Sequence, residues 1–202
     1  MSLKDLIDNH QKWLTGEKNG KRAILEGITL TEPLVDIDLS FAIMRNIIIS
    51  YLTFSSVNLT GADIRYAKID HLIANGCIFV GTDFQHSTIK FSNLSYILAS
   101  RADFKFANLK NTNFMYATLD DTDLRCTALK NTTFEYANLQ YSNLKDSKLE
   151  NTNFKNSDLR YVRTKQNSLY KSFFKNRANI EGAKFNRHIE SVGLDVILRR
   201  DT

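Results

Sequence analysis

Every fifth residue from Leu39 to Phe174 except Thr164 is apolar, in one unbroken reading frame. The frame runs Leu39, Met44, Ile49, Phe54, Leu59, Ile64 and onward through 28 positions, of which 25 carry a large apolar side chain; Ala74, Ala99 and Thr164 do not. A helix repeats its faces about every 3.6 residues and a strand every two, so neither puts these residues on one side. A chain that turns a corner after each short segment does, burying one anchor per segment. The side chains left outside such a coil are then where any function must lie.

A second set, two positions before the anchors, is small: Ala102, Ala107, Thr112, Ala117, Thr122, Thr127, Thr132, Ala137, Ser142, Ser147, Thr152 and Ser157. Large residues alternating with small ones suit a narrow tube whose axis is filled and whose walls close tightly. The units Ala102-Asp103-Phe104-Lys105-Phe106 and Ala107-Asn108-Leu109-Lys110-Asn111 resemble the A(D/N)LXX unit of the pentapeptide-repeat family. The resemblance spans residues 23–187, weaker before Val57. It implies an all-β fold, a right-handed quadrilateral parallel β-helix with four pentapeptides per coil, closed by a short N-terminal helix.

A superimposed period of 20 supports four walls independently of that resemblance. Asn111-Thr112-Asn113-Phe114, Asn131-Thr132-Thr133-Phe134 and Asn151-Thr152-Asn153-Phe154 recur at that spacing. Phe114, Phe134, Phe154 and Phe174 then stack as one internal column, and Asn111, Asn131 and Asn151 as an external amide ladder. With coils ~4.8 Å apart, seven of them make a rod of roughly 34 Å.

The ends depart from the frame, as solenoid ends must. Residues 1–22 read as a helical cap and lead-in: Ser2 followed by Asp5 marks a helix start. Leu3, Leu6, Ile7, His10, Trp13 and Leu14 follow at helical spacing, with Trp13 expected over the first coil. The lead-in, with Gly20-Lys21-Arg22-Ala23, resembles that of bacterial members of the family and suggests a bacterial or phage source. Pro33 marks a frame slip between Leu30 and Leu39, and a second slip separates Phe174 from Ile180. Residues 188–202 read either as a cap or as a self-pairing dimer element, the latter implied by the topoisomerase-protecting branch, leaving a monomer or a tail-paired homodimer open.

No apolar run reaches the ~20 residues of a membrane span, and the charged N-terminus lacks a signal peptide's apolar stretch. Cys77 and Cys126 lie on inward and outward positions and suggest no disulfide or zinc framework. A cytoplasmic location is expected, with a secreted effector or adaptor as an alternative. His10, His71, His86 and His188 are scattered and none has a metal-ligand neighbour at familiar spacing; no phosphate loop or nucleophile motif is present. No enzymatic activity, cofactor or metal is expected.

Three exterior columns stand out instead. Arg45, Arg65, Gln85, Lys105, Arg125, Lys145 and Lys165 follow their anchors by one residue. On the same wall run Asp63, Asp83, Asp103 and Asp123, then Asn143 and Arg163, so compensation stops at Asn143. The C-terminal third (Lys145, Lys155, Arg160, Arg163, Lys165, Lys171, Lys175 and Arg177) is a basic patch able to meet an acidic partner, though without a shape suited to a nucleic-acid groove. Gyrase-binding members of the family are thought to mimic DNA, which needs a strongly acidic rod; a net charge of +5 and a pI near 9.1 weigh against it here. The second column is aromatic: Tyr96, Tyr116 and Tyr136, with Tyr66, Phe91, Phe106, Tyr141 and Tyr161 at the same repeat position on other faces, either a structural ladder over the turns or an interface. The third feature is Ile73, Ile78, Val80 and Leu98 on nominally outward positions, beside the failed anchors Ala74 and Ala99 and an oversized inward Ile97. These suggest a distorted coil with an exposed apolar patch, unless the N-terminal segment covers it. The expected function is a non-enzymatic, rod-shaped protein-binding scaffold acting through Ile78, Val80, Tyr96, Leu98, Tyr116 and Tyr136, with gyrase or topoisomerase protection as an alternative.

Overall fold

The computed structural model describes residues 2–164, Ile180 and Glu181. Phe174, Lys165, Lys171, Lys175, Arg177, the second frame slip and the 188–202 tail lie outside the described residues. The chain begins with α1 (Leu3–Leu14) and continues as a right-handed parallel β-helix of four walls. Its regular strands are short: β1 (Thr29–Leu30), β2 (Leu34–Val35), β3 (Ile48–Ser50), β4 (Phe54–Ser55), β5 (Lys68–Asp70) and β6 (Thr88–Lys90). One sheet stacks β1-β3-β5-β6 and another β2-β4, all parallel. Single-residue bridges such as Asp83↔Asp103↔Asp123↔Asn143↔Arg163 carry the ladders to the end of the described coils.

Register is 20 residues per coil nearly throughout. The first coil is the exception: Leu30 pairs with Ile49, 19 residues on, whereas Leu34 pairs with Phe54, 20 on. The missing residue falls within Thr31-Glu32-Pro33, so Leu25, Leu30, Leu34 and Leu39 all stay buried despite the slip.

The size alternation explains why the tube closes. The anchors fill the axis, with Phe104, Phe114, Phe134 and Phe154 wholly buried, and the small residues line it from the other side of each segment. Buried threonine hydroxyls are satisfied by backbone: Thr132 Oγ1 donates to the Leu109 carbonyl at 2.7 Å and Thr122 Oγ1 to that of Leu119 at 2.7 Å. Asn and Asp before the anchor have a local role. Asp103 Oδ1 accepts from the Lys105 N–H at 2.8 Å and Asn113 Oδ1 from that of Met115 at 2.9 Å. This side-chain-to-backbone bond two residues on shapes each corner.

The distorted coil expected near Ala74 and Ala99 is not found. Ladder bonds run through it, with Ile73↔Asn93 and Ile78↔Leu98 bridged like their neighbours. The physical reason is an exchange of sizes: Leu72 and Ile97 occupy inward small positions and are buried, as are Ala74 and Ala99 two residues later. Each pair keeps its volume while swapping which residue fills the axis.

The cap also differs from expectation. Ser2 and Asp5 form the capping box, and Leu3, Leu6 and Ile7 pack on the core. The side chain closing the first coil is His10, fully buried, while Trp13 remains 38 % exposed, stacked on His10 at 5.4 Å. His10 Nδ1 accepts from the Ala23 N–H at 3.0 Å, which leaves Nε2 as the donor to the Ser40 carbonyl at 3.0 Å. Burial pushes this imidazole below its ordinary value, against the Ser40 carbonyl and nearby Asp38.

Candidate functional site

Each corner places one residue in the left-handed region. From Asp36 to Tyr161 the non-glycine corner residues hold φ between 51 and 63°. For an ordinary L-residue this conformation costs about 1–2 kcal/mol, and Asn, Asp and Gly tolerate it best. Yet many corners carry aromatic rings. Tyr96, Tyr116 and Tyr136 stack with centroids 4.9 Å apart and planes within 13°, and Tyr141 stacks on Tyr161 at 4.7 Å. An aromatic pair is worth about 0.5–1.5 kcal/mol beyond burial, so a ring with two neighbours recovers the conformational cost. Partial desolvation between its neighbours, more than their charge, pushes the Tyr116 phenol up.

Two further ladders are only partly legible in the sequence, which shows Tyr66, Phe91 and Phe106 at the same repeat position but not their links through histidine. Tyr51, His71 and Phe91 stack at 4.5 and 5.2 Å, and Tyr66, His86 and Phe106 at 5.2 and 4.8 Å. The signal was present in their 20-residue spacing, masked because histidine was weighed as a metal ligand rather than as a ring. Among the described residues no group of three His, Cys, Asp or Glu side chains is placed to hold a metal. A void of about 10 Å³ in the axis is walled by apolar side chains, Phe54, Phe84 and Leu94 among them. At that size, and without polar partners, it holds neither water nor substrate.

The apolar patch lies on the exterior. Ile78 and Leu98 are bridged neighbours on one wall, with Tyr96 two residues before Leu98 at the adjoining corner. Leu98 is 45 % and Tyr96 57 % exposed, and Tyr116 and Tyr136 are exposed too. Ile78 and Val80 are half-buried. The N-terminal segment leaves the patch uncovered: its polar contacts go to the first coil, at Ala23, Asp38, Ser40 and Phe41.

The charged wall is largely internally paired. Arg65 bridges Asp63 at 2.7 Å and approaches Asp83 at 3.5 Å, while Arg45 lies 3.3 Å from Asp63 and Arg125 pairs with Asp123. Hydrogen bonds from Arg65 hold the Asp63 carboxyl below its usual range. Asp103 is raised, mainly by burial and further by the neighbouring Asp123 and Asp83, and Lys105 lies over the Phe106 ring at 4.9 Å. In the basic third, Lys155 pairs with Glu181 at 3.2 Å and Arg160 with Asp158 at 2.6 Å, and Arg163 donates to the Tyr141 carbonyl at 3.4 Å. Lys145 stands on the same wall as Asn143, whose Oδ1 accepts the Lys145 backbone N–H at 3.2 Å. Among the described residues no helix is long and apolar enough to cross a membrane.

Residues 100–135 and 137–163 match the model of pentapeptide repeats, in eight copies. Among curated proteins, none matches the chain in sequence. Similar solved structures include HetL, a pentapeptide repeat protein involved in heterocyst differentiation regulation from the cyanobacterium Nostoc sp. strain PCC 7120, at 18% identity over 91% of this chain and 94% of that one, with a TM-score of 0.49. Rfr23 from the cyanobacterium Cyanothece 51142 is 23% identical over 50% and 60% of the two chains, TM-score 0.38. QnrB1, a plasmid-mediated fluoroquinolone resistance protein, is 16% identical over 84% and 97%, TM-score 0.28.

Proposed function

We propose that this chain, a pentapeptide-repeat protein, works as a non-enzymatic rod that binds another protein through its outer walls. The observation carrying this reading is the exposed Leu98 and Tyr96, continued by Ile78, Val80, Tyr116 and Tyr136, on a wall that the chain's own N-terminal segment leaves bare. Tyrosine supplies large contact area with few rotatable bonds, and clustered aromatic and aliphatic residues are the usual energetic centre of an interface. Among the described residues the flat exterior offers no concave, water-excluding pocket of the kind that catalysis needs. The basic third is the secondary candidate, weakened by the carboxylates beside Lys155 and Arg160. Imitation of nucleic acid by Asp63, Asp83, Asp103 and Asp123 gains little support, since arginines pair with Asp63, Asp83 and Asp123.

The test is capture from bacterial lysate by the purified chain at low and high salt, compared with the Tyr96→Ala/Leu98→Asp double variant. A partner retained in high salt and lost with the double variant supports the reading, provided circular dichroism still reports β structure. Capture that survives the double variant removes this surface. Capture lost in salt alone moves the site to the basic third, and recovery of gyrase or topoisomerase IV subunits assigns the protection role.

A further inference from the structure

The tyrosine ladder stops at a gap. Tyr136, Tyr116 and Tyr96 occupy one corner in successive coils, and the same corner one coil earlier is Gly76. Gly76 has φ +70°, in line with its column, and a Cβ built there would meet nothing within 4 Å. The ring face of Tyr96 turned away from Tyr116 therefore looks onto a position without a side chain. Beyond it stands only Ser56. Two coil spacings of ~4.8 Å separate Ser56 from Tyr96, room for one ring at stacking distance from the tyrosine.

The molecule itself shows what a bare corner accepts. At Gly61, the corresponding corner of the next column, a Cβ would lie 2.7 Å from Cδ1 and Cε1 of Phe41. The Phe41 ring from the preceding coil thus covers the glycine. The other ladder ends differ: Phe91 meets Asn111, Phe106 meets Cys126, Tyr66 meets Asn46 and, at the far end of this ladder, Tyr136 meets Asn156, each with a side chain of its own. Gly81 is also open, but its column holds no stacked ladder: its neighbours are Gly61, over which the Phe41 ring of the coil before lies, and Arg101.

The surroundings of Gly76 define the guest. Ile73, 47 % exposed, stands on the wall before the corner, and Ile78 on the wall after it. The adjoining outward positions are Ser55, Asn75 and Ser95 on one side and Thr60, Val80 and Ser100 on the other, none ionisable. A neutral ring edged by aliphatic contacts fits this frame, whereas a charged group would find no counter-ion there. We propose that Gly76 is a ring-sized acceptor slot in which an aromatic side chain of a partner protein stacks on Tyr96 and continues the ladder by one rung. This rests on the Tyr96 wall being an interaction surface, and names the chemistry of the group that engages it.

The test uses the whole chain with N-acetyltryptophanamide as probe, followed by amide and aromatic NMR shifts. The expected result is saturable shifts at the Gly76 amide and the Tyr96 ring. Gly76→Tyr, which installs a ring that this left-handed corner accepts elsewhere, should weaken the probe by about tenfold, near the upper end of what one ring stack is worth. Gly76→Tyr should also melt no lower than the natural chain, because it adds a rung. Should it fail to fold, Tyr96→Ala with the same probe must show the same loss. Shifts absent at Gly76, or undiminished in the variant, overturn the slot. If Gly76→Tyr still captures a lysate partner that Tyr96→Ala/Leu98→Asp loses, the slot fails while the wall stands; if neither variant affects capture, the wall itself is refuted.

Discussion

Replacing Phe134 by alanine tests the inside–outside assignment most directly. The ring is wholly buried between Phe114 at 5.1 Å and Phe154 at 5.2 Å, with planes within 11°. Removing a buried phenylalanine costs about 3–5 kcal/mol, depending on how far the site collapses. Here collapse is resisted, since the wall is pinned by the bridges Asn113↔Thr133↔Asn153 and by the Phe134 N–H donating to the Asn153 carbonyl at 2.6 Å. Of that cost, the two lost ring contacts supply about 1–3 kcal/mol. Asn131→Ala is the matched control on the outside. Asn131 Nδ2 donates to Asn111 Oδ1 at 3.0 Å, and its Oδ1 accepts from Asn151 Nδ2 at 3.2 Å, all exposed. Losing these exposed bonds costs about 1 kcal/mol, and holding alanine at the left-handed corner, φ 57°, adds about 1 more. Urea unfolding of both variants by one probe gives the comparison. If Asn131→Ala proves costlier than Phe134→Ala, or Phe134→Ala costs under about 2 kcal/mol, the filled-axis reading is refuted.

The His10 contact predicts an acid-sensitive cap. The unfolded ring titrates at its ordinary 6.5 and the folded ring lower, so between the two the unfolded chain binds more protons and docking weakens as pH falls. The protection factor of the Ala23 amide, which removes the intrinsic pH dependence of exchange, should fall below pH 6.5 while that of the Phe134 coil stays unchanged, and an Ala23 protection factor that does not change contradicts the buried neutral ring. Gly20→Ala should undock the same helix, because the added methyl falls inside contact distance of backbone atoms of Lys12 and Trp13, which cannot yield. A loss of about 1–3 kcal/mol and a shift in Trp13 fluorescence are expected, while Gly81→Ala, with nothing near its Cβ, should leave Trp13 emission alone.

What could be read in advance was what the repeat itself imposes. The Phe114–Phe134–Phe154 column and the Asn111–Asn131–Asn151 ladder follow from two periods, five and 20, because every coil gives a given position the same surroundings. Deviations were harder, since a single position cannot announce its compensation. Ala74 and Ala99 looked like defects until paired with Leu72 and Ile97, and Trp13 looked like the lid until the backbone donors and acceptors near Ala23 and Ser40 selected His10. The corners carry the deeper lesson. Asparagine suits a left-handed corner by local conformation, and tyrosine does not, so an aromatic ladder is stable only where stacking offsets the backbone cost. Tyr116 recovers that cost from two neighbours, and terminal Phe106 has Lys105 over it as well as His86. Tyr96 has one ring neighbour and, beyond it, glycine. A left-handed corner residue stacked on one side only, with glycine on the other and exposed Leu98 and Ile73 around it, is where compensation from a partner can contribute.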